Sequence, residues 1–354
     1  MPPTEPQPIL SHPTESAIFL VLTVRGGSEA DVADLVADAS GIKRSVGFRV
    51  PEAELTLVVG IGAGLWDRLG GGPRPAGLHP FRELVGPRHT AVATPGDLLF
   101  HIRAHRFDVC FELAQRLTDR LVGLADVVDE VHGFRSFDDR DVLGFVDGTE
   151  NPEGVAATEA VLIGDEEADF AGGSYVIVQK YVHDLGAWDA LSTEEQEAAI
   201  GRTKLSDIEF PDEDKAPNSH LALNVIEGPD GDERQIMRFN MPFGRVGAAE
   251  FGTYYIAYAR TSELIELMLT NMFIGDPPGN TDRILDFSTA VTGNLFFVPP
   301  ADLLENLISD SADASVSEPN TEPGPESEAA SGTEPESEAD DGSLRIGSLR
   351  DQPG

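Results

Sequence analysis

Apolar and polar positions alternate in patterns that divide the first half of the chain into strands and helices. Unbroken apolar runs predict a buried strand at residues 17–24 and a strand followed by a turn at residues 54–66. Between them, Ser28 is expected to cap a helix that has one apolar face and ends at Gly41. A further strand is predicted at residues 97–105, directly followed by a helix. This order of elements suits an α+β unit of the ferredoxin-like kind.

The second half repeats this rhythm without obvious sequence similarity to the first. The predicted elements are, in order, a strand at 173–184, a helix near 185–200, strands at 234–244 and 252–260, and an amphipathic helix at 262–273. Ser192, followed by Thr-Glu-Glu, is a helix-start signal within this region. The pattern by itself supports two α+β units.

Length and composition limit the class of protein. A chain of 354 residues with 40% apolar content can form two domains with real hydrophobic cores. The single cysteine, Cys110, excludes an intrachain disulfide and is expected to be a small buried side chain. No apolar run approaches the roughly 20 residues of a membrane span. Residues 1–15 are rich in proline and lack lysine and arginine, which predicts a disordered N-terminus without a secretory signal in a cytoplasmic protein.

The charge of the chain is strongly acidic and unevenly distributed. A net charge of −37 argues against nucleic acid and anionic membranes as partners. Eleven acidic and no basic residues fall between positions 310 and 341, and residues 309–341 are predicted to form a disordered acidic linker. Apolar residues and arginines return in GSLRIGSLR, within residues 342–354. This ending is either a frayed tail or a docking motif, and its position after a long tether favours docking.

Four polar residues in three segments are candidates for chemistry. GFVDGTENP, residues 144–152, contains Asp147; PNSHLALN contains His220; MRFNMPFG contains Arg238 and Asn240. Each segment has a simpler interpretation: an Asx turn, one of eight histidines, and a half-exposed strand with its polar residues on one face. Their occurrence together, in this order and in these local sequences, is what favours a functional site.

In this order and spacing, the four residues resemble the haem site of dye-decolourising peroxidases, most strongly the bacterial B-type branch, over about residues 15 to 305. The resemblance implies two ferredoxin-like domains, at residues 16–140 and 141–308, of the dimeric α+β barrel type. It further implies haem b in the second domain and a homo-oligomer. GSLRIGSLR resembles the cargo-loading peptide that directs B-type peroxidases into encapsulin shells, which implies a location inside such a compartment.

The resemblance also implies which residues would hold the haem. His220 matches the proximal ligand of the haem iron, and Asp282 matches the acid that orients the histidine. Asp282 also has the sequence context of a helix N-cap, and the two roles are compatible. Arg202 matches a basic residue of the haem pocket, with a solvated arginine at a helix end as the alternative.

The catalytic residues implied by the resemblance are Asp147, Arg238 and Asn240. Asp147 would shuttle a proton of hydrogen peroxide, Arg238 would stabilise negative charge, and Asn240 would orient peroxide or water. Arg238 is expected to be more essential than Asp147. The reaction would oxidise dyes or phenolic compounds in one-electron steps through a ferryl intermediate.

The reductant is the least determined part of this interpretation. Candidate oxidisable side chains that could carry electrons from the surface are Tyr254, Tyr255, Tyr258, Trp66 and Trp188, although most are expected in the core. Manganese(II) is a further candidate reductant, with Glu150, Glu209 and Glu233 in segments that flank the haem motifs. Solvated carboxylates are the favoured interpretation of these three.

Three alternatives remain open on sequence. A deferrochelatase-like protein that handles haem iron would often carry an export signal, which is not seen here. A haem sensor or storage module would lack acid–base residues such as Asp147 and Arg238. A relative similar to chlorite dismutase would lack the GFVDGTENP segment.

Overall fold

The computed structural model describes residues 5–70, 72–148 and 151–307. The strands in these ranges are β1 (Ser16–Val24), β2 (Thr56–Gly62), β3 (Leu84–Val85), β4 (Thr90–Ala91), β5 (Leu98–Ala104), β6 (Ala125–Phe134), β7 (Ser174–His183), β8 (Met237–Arg238), β9 (Met241–Arg245), β10 (Glu250–Ala259), β11 (Ser288–Ala290) and β12 (Asn294–Val298). The α-helices are α1 (Glu29–Gly47), α2 (Ala63–Leu69), α3 (Phe107–Arg120), α4 (Gly154–Val161), α5 (Leu185–Asp189), α6 (Thr193–Ile200), α7 (His220–Asn224), α8 (Ser262–Phe273) and α9 (Ala301–Glu305). Glu150, the predicted linker at 309–341 and the predicted docking peptide at 342–354 lie outside the described residues.

Both halves of the chain build the same antiparallel pattern within one sheet. The strand order is β6-β1-β5-β2-β12-β7-β10-β8, with β11 beside β7 and β9 beside β10, while β3 and β4 form a separate pair. Numbered within each half, both sets of four strands follow the order 4-1-3-2, which is that of the ferredoxin-like fold. The predicted α+β class with two ferredoxin-like domains is therefore confirmed. The boundary between residues 140 and 141 stays a prediction.

The sheet curves until its two ends approach each other. A Cβ atom placed on Gly133 of β6 would lie 2.6 Å from the Cβ atom of Met241 in β9. The inner face is filled by an apolar cluster that includes Phe19, Val58 and Phe296. The outer face packs against α1, α3 and α8 in a second cluster. Because both faces are covered, strands such as β1 are buried along nearly their whole length, which explains their unbroken apolar sequence.

The helix starts and ends show where local signals are sufficient. The capping box predicted at Ser192 is present, since its side chain accepts the Glu195 N–H and the Glu195 carboxylate accepts the Ser192 N–H. The predicted end of α1 at Gly41 is wrong, because buried Ile42 and Val46 extend the apolar face and the helix continues to Gly47. Ser28 occupies the N-cap position without a capping hydrogen bond from its side chain. At Gly41, burial of the residues that follow therefore overrides the local signal for a helix end.

The prediction that residues 1–15 are disordered is wrong for residues 5–15. Ile9 is fully buried, and the Gln7 amide nitrogen donates to the carbonyls of Val59 at 2.9 Å and of Pro299 at 2.8 Å. The Gln7 carbonyl accepts the Val59 N–H at 2.8 Å. β12 pairs with β2 at only two positions, so the Gln7 side chain takes the place of a strand residue at this seam. Composition could not predict that residues 5–15 are ordered, because this depends on one side chain, that of Gln7, which bonds to the edge of a strand.

Two further expectations from composition concern Cys110 and membrane spans. Cys110 is buried in α3 as predicted, and burial raises the pKa of its thiol to about 12, which keeps it protonated and unreactive. None of the helices in the described ranges is both long and apolar enough to cross a membrane.

Candidate active site

A cavity in the second half of the chain brings together most of the candidate residues. Strands β7, β8 and β10 form one wall and helices α7 and α8 another. Its polar lining includes Asp147, Arg202, His220, Arg238 and Asn240, and its apolar lining includes Phe145, Leu221, Ile236, Met268, Leu269, Met272 and Ile284. Five of the six predicted site residues thus share one cavity, and the sixth, Asp282, lies directly behind His220.

His220 is fixed by a buried carboxylate. It is the first residue of α7, and its Nδ1 atom lies 2.7 Å from Oδ2 of Asp282, which has no exposed surface. The second oxygen of Asp282 accepts the Ile284 N–H at 3.0 Å and caps the turn that follows. Asn224, one helical turn after His220, donates to the His220 carbonyl at 2.7 Å. The carboxylate therefore accepts the Nδ1 proton, and the Nε2 lone pair remains to bind a metal.

A second histidine in the cavity is excluded as a ligand by its hydrogen bonds. His183 at the end of β7 has its Nδ1 atom 2.8 Å from the Ser288 hydroxyl and its Nε2 atom 2.9 Å from the Thr253 hydroxyl. Burial lowers the pKa of His183 to about 4, so the ring is neutral. His220 makes no hydrogen bond through Nε2 to any described residue. Of the two histidines in this cavity, His220 is thus the one with a nitrogen available.

Arg238 and Asn240 reach the cavity from the strand that the sequence predicted, although the strand is interrupted. Met237, Phe239 and Met241 are buried on the opposite face, as expected from the alternation. The ladder breaks between β8 and β9 because the Asn240 side-chain oxygen accepts the Ile256 N–H at 3.1 Å. The Arg238 Nε atom is buried and has no hydrogen-bond partner among the residues that the structure describes.

Asp147 lies in a turn, with its main-chain nitrogen donating to the Asp139 carbonyl at 3.2 Å. Its carboxylate accepts no hydrogen bond from the described part of the chain. The Asx-turn interpretation is not tested, because Thr149, whose N–H would donate to the carboxylate, lies outside the described residues. Asp147, Arg238 and Tyr255 line the same cavity.

Asn151 is a site residue that the sequence analysis missed. Its side-chain oxygen accepts the Arg238 N–H at 2.8 Å, and its side-chain nitrogen donates to the Arg238 carbonyl at 2.7 Å. The pair of hydrogen bonds joins the GFVDGTENP segment to β8. The relative positions of Asp147 and Arg238 therefore depend on this amide.

Asp141 is a second residue that was missed. It lines the cavity near Asp147, and its Oδ1 atom accepts the Phe145 N–H at 2.9 Å. Burial, with a contribution from the Asp147 charge, raises the pKa of Asp141 to about 7, although the Phe145 N–H lowers it. The sequence carried no signal for Asn151, because its partner Arg238 lies 87 positions further along the chain. It carried none for Asp141, because the cavity that Asp141 lines exists only in the folded chain.

Arg202 lies two residues after the end of α6 and lines the cavity, with 7% of its surface exposed. Its Nε atom is 3.3 Å from Oδ1 of Asp207. The alternative of a solvated arginine at a helix end is wrong, since the side chain is covered. A buried guanidinium at this position is chemically suited to a carboxylate group of a ligand.

The aromatic candidates for electron transfer are mostly core residues. Tyr254, Tyr258 and Trp188 have no exposed surface, and Trp66 is 2% exposed. Tyr255 differs, because it is partly buried and lines the cavity. Burial raises the pKa of Tyr255 above its ordinary value, so the phenol is protonated at neutral pH.

Two of the three candidate manganese residues, Glu209 and Glu233, lie in the described ranges. Glu209 forms an ion pair with Lys215. The main chain of Glu233 forms an isolated β-bridge with that of Glu227. Glu150 lies outside the described residues. Within those residues, no group of three or more His, Cys, Asp and Glu side chains is positioned to hold a metal ion.

The cavity suits haem in its chemistry. A broad apolar lining, one anchored histidine with a free Nε2 lone pair, and a buried arginine match a flat apolar macrocycle with a central iron and acidic substituents. Together with the doubled ferredoxin-like sheet, these features define a haem-binding protein of the α+β barrel class.

Sequence and structure comparisons agree on the family. Models of the Dyp-type peroxidase N-terminal and C-terminal domains match residues 6–135 and 138–303. The chain therefore belongs to the Dyp-type peroxidase family. A dye-decolorizing peroxidase from Mycolicibacterium paratuberculosis is 57% identical over 350 residues, covering 99% of this chain and 94% of its own length. The expectation of a peroxidase of the dye-decolourising kind is confirmed.

Solved structures give the same result. The encapsulated DyP-type peroxidase from Mycobacterium smegmatis is 61% identical, with a TM-score of 0.84, covering 86% of this chain and 98% of its own. A variant of DypB from Rhodococcus jostii RHA1 in complex with heme is 55% identical, with a TM-score of 0.83. The match covers 85% of this chain and 98% of the DypB chain. Another DypB variant, with the same identity, TM-score and coverage, is a complex with manganese. The expected cofactor is confirmed at the level of the family.

Proposed function

We propose that this chain holds haem b through His220 and uses hydrogen peroxide to oxidise dyes and phenolic compounds by one electron at a time. The observation that carries the proposal is a single cavity containing a histidine oriented by a buried carboxylate together with Arg238, Asn240 and Asp147. A protein that only stores or senses haem has no need for these three polar groups in the same space. Overall, peroxide takes up two protons and two electrons to give two water molecules, and each reductant molecule supplies one electron.

On this proposal, His220 and Asp282 set the properties of the metal ligand. Bound haem supplies the redox-active iron at which peroxide is reduced. The Asp282 carboxylate holds the Nδ1 proton of His220, so the imidazole gains partial anionic character and becomes a stronger electron donor. Arg202 would pair with a haem carboxylate, in place of or in addition to Asp207.

Asp147, Arg238 and Asn240 would transfer the proton of peroxide, stabilise its developing charge and orient it. Cleavage of the O–O bond requires a proton to move from one peroxide oxygen to the other. Asp147 can accept and return this proton, because its carboxylate accepts no hydrogen bond from a described residue. The guanidinium cation of Arg238 would stabilise negative charge on the departing oxygen. Asn240 uses its oxygen to hold Ile256, so its amide nitrogen is the group left to orient peroxide.

Dyes would donate electrons without entering the cavity completely. Tyr255 is the aromatic candidate that lines the cavity, whereas the other four are buried in the core. We propose Tyr255 as the first protein group on the electron path. Replacement of Tyr255 by phenylalanine should slow dye oxidation while leaving the initial reaction with peroxide unchanged.

The test of the proposed function is a stopped-flow absorption experiment on the haem-loaded protein with one equivalent of hydrogen peroxide. We expect a rapid change of the Soret band, followed by its return when a phenolic reductant is added. A Soret band that does not change, or one that only bleaches slowly, would contradict the peroxidase proposal and favour the handling of haem iron.

Manganese(II) is a second candidate reductant, favoured by one observation, the manganese complex of the related DypB variant. Glu209 and Glu233, with Glu150, would have to supply the carboxylates, and Glu209 would have to exchange its ion pair with Lys215 for the metal. Oxidation of manganese(II) should then be lost in Glu209→Gln while dye oxidation is retained. Equal loss of both activities would contradict a separate manganese site.

We also propose that GSLRIGSLR directs the protein into an encapsulin shell. The support is the sequence of residues 342–354 and the encapsulated relative from Mycobacterium smegmatis. Deletion of residues 342–354 should abolish co-purification with a co-expressed shell protein and leave peroxidase activity intact. Light scattering on the same two preparations would test the expected homo-oligomer.

A further inference from the structure

A second cavity adjoins the active-site cavity and reaches the surface; we call it the outer cavity. It has a volume of about 290 Å³, which is room for several water molecules. Four of the residues that line it are exposed, namely Pro13, Phe134, Arg135 and Asp139. Among the described residues that line the active-site cavity, only Gly148 is exposed. The outer cavity therefore gives solvent an approach to the active site.

The wall between the two cavities contains two carboxylic acids. The residues that line both cavities are Asp141, Val146, Asp147, Gly148, Arg238 and Asn240. The proposed reaction uses Asp147, Arg238 and Asn240, but it has no role for Asp141. Asp141 is therefore a titratable group that lies between solvent and the active site and has no assigned function.

The pairing of the main chain places the side chains of Asp141 and Asp147 side by side. Arg140 and Val146 form an antiparallel bridge, flanked by hydrogen bonds from the main-chain nitrogens of Asp141 and Asp147 at 2.8 and 3.2 Å. Because side chains alternate along such a ribbon, Asp141 and Asp147 lie on the same face as diagonal neighbours. Diagonal neighbours have Cα atoms about 7–8 Å apart. One water molecule can bridge two carboxyl groups at this separation.

The surroundings of Asp141 suit a group that takes up and releases a proton. Its Oδ1 atom accepts the Phe145 N–H at 2.9 Å, which fixes the orientation of the carboxyl group. Burial raises the pKa of Asp141 to about 7, so the acid and the carboxylate coexist at neutral pH. The guanidinium of Arg140 is held on three main-chain carbonyls, those of Gly144, Lys204 and Leu205.

The other ionisable groups around Asp141 differ from it in their chemistry. Besides Asp147, those of the outer cavity are Arg103, Arg135, Asp139, Arg140 and Arg238. Those found only in the active-site cavity are Arg202, His183, His220, Tyr181 and Tyr255, and Lys204 packs on Phe145 from outside. Burial lowers the pKa of His183 and raises the pKa of both tyrosines, so these three are neutral at pH 7. The free nitrogen of His220 would be bound to the haem iron.

We propose that Asp141 carries protons from the outer cavity to Asp147. The inference rests on the proposed peroxide reaction, in which each peroxide molecule takes up two protons and two electrons. A solvent proton would bind the Asp141 carboxylate, pass through one water molecule to the Asp147 carboxylate, and then reach the oxygen that leaves as water. Two such transfers complete one turnover, and the two electrons come from two reductant molecules.

The test uses ferrocyanide, a reductant that gives electrons and no protons. Haem-loaded protein is first mixed with one equivalent of hydrogen peroxide and then with ferrocyanide, so that the return of the Soret band requires solvent protons. In the unmodified protein the return should become faster as the pH falls through about 7, because more Asp141 is protonated. Asp141→Asn keeps an oxygen for the Phe145 N–H, but it should be at least about tenfold slower at pH 6 and lack this pH dependence. Equal rates and pH profiles in the two proteins would overturn the proposal.

The initial reaction with peroxide is measured on the same samples. In that step the proton moves only between the two peroxide oxygens, and none is taken from solvent. Equal slowing of both steps in Asp141→Asn would overturn the proton path, because it would indicate that Asp141 only positions the segment that carries Asp147. A Soret band that does not respond to peroxide in the unmodified protein would instead refute the peroxide reaction itself.

Infrared spectroscopy of the haem-loaded protein without peroxide gives a readout independent of turnover. A band of a protonated carboxyl group should disappear between pH 5.5 and pH 8.5, and it should be missing in Asp141→Asn. Its persistence in folded Asp141→Asn would contradict the assignment. Asp141→Glu keeps a carboxyl group and should retain part of the rate. Asp129→Asn is the matched control, since burial also raises the pKa of Asp129 but Asp129 lines neither of the two cavities, so its rate should be that of the unmodified protein.

Discussion

The two histidines of the active-site cavity show how hydrogen bonds divide chemical roles between identical side chains. His183 uses both ring nitrogens to hold Ser288 and Thr253, whereas His220 uses one nitrogen for Asp282 and keeps the other free. Burial without a charged partner keeps His183 neutral at neutral pH. A buried carboxylate gives the His220 ring a defined orientation, which suits the ligand role proposed for it.

The first residue-scale prediction concerns the ligand. His220→Ala should lose most of its haem, because no other histidine of the cavity has an available nitrogen. The ratio of Soret to protein absorbance after reconstitution measures the loss. His132→Ala is the control, since His132 is an exposed residue paired with Glu130. A normal Soret band in His220→Ala would refute the ligand assignment.

The second prediction concerns Arg238. Arg238→Leu should slow the reaction with hydrogen peroxide by about a hundredfold or more, because a positioned charge at the departing oxygen is lost. The rate of the Soret change in stopped flow is the measurement, with haem content checked to be normal. Arg245→Leu, an exposed arginine on the following strand β9, should react at the unmodified rate. Equal rates in all three proteins would exclude the role of Arg238.

The third prediction is a pH dependence of stability from His183. In the unfolded chain His183 takes up a proton near its ordinary pKa of 6.5, but in the folded protein only near pH 4. Its contribution is therefore complete above pH 6.5 and is lost as the pH falls towards 4, by up to roughly 3 kcal/mol. His183→Gln should lack the part of the stability loss that comes from protonation of His183. Denaturant unfolding of both proteins at pH 7 and pH 4.5 should show a smaller loss in the variant.

At the scale of elements, the sequence predicts what depends on local periodicity. β1 and α8 were predicted because their apolar patterns are unbroken or helically spaced. The end of α1 was not, because burial of Ile42 and Val46 is a property of the assembled core. β6 was missed because most of its residues are exposed or partly exposed, so it lacks the signature of a buried strand.

The candidate site divides in the same way. Asp147, His220, Arg238 and Asn240 were found because they lie in recognisable local sequences. Asn151 and His183 were not found, because their hydrogen-bond partners are distant in sequence. Arg238 lies 87 positions from Asn151. Thr253 and Ser288 lie 70 and 105 positions from His183. A single sequence contains no signal for a hydrogen bond across such a separation. Asp282, which orients His220 from 62 positions further along the chain, was predicted only through the family resemblance.

The prediction at this scale concerns the link between the GFVDGTENP segment and β8. Asn151→Ala removes both hydrogen bonds to the Arg238 backbone, so we expect slower reaction with peroxide and a stability loss of about 1–3 kcal/mol, with haem binding retained. Asn151→Asp keeps the acceptor and should restore part of the rate. Haem loss in parallel with the rate would indicate general damage to the cavity instead.

At the scale of the whole molecule, the two ferredoxin-like halves share one sheet through a narrow seam. β12 contacts β2 at two residue pairs, and Gln7 supplies three further hydrogen bonds to this region. The N-terminal segment is therefore part of the fold.

Gln7→Ala tests this contribution to the fold. Two main-chain groups of Val59 and one of Pro299 would lose their partners, at a cost of roughly 2–4 kcal/mol in the free energy of unfolding. Gln115→Ala, on the exposed face of α3, provides the comparison and should be nearly neutral. Chemical denaturation of both variants gives the difference. Equal stabilities would mean that the seam is held by β12 alone.

The seam also has a consequence for how the protein is made. The strand that borders β2, at Asn294–Val298, is among the last described elements to leave the ribosome, whereas β2 ends at Gly62. During most of translation the newly made first half therefore has an uncovered strand edge, which is a site for unwanted association. Gln7 is synthesised before β2 and can cover Val59 at once. Gln7 thus shortens the uncovered edge of the newly made first half, while Ile61 and Gly62 wait for β12.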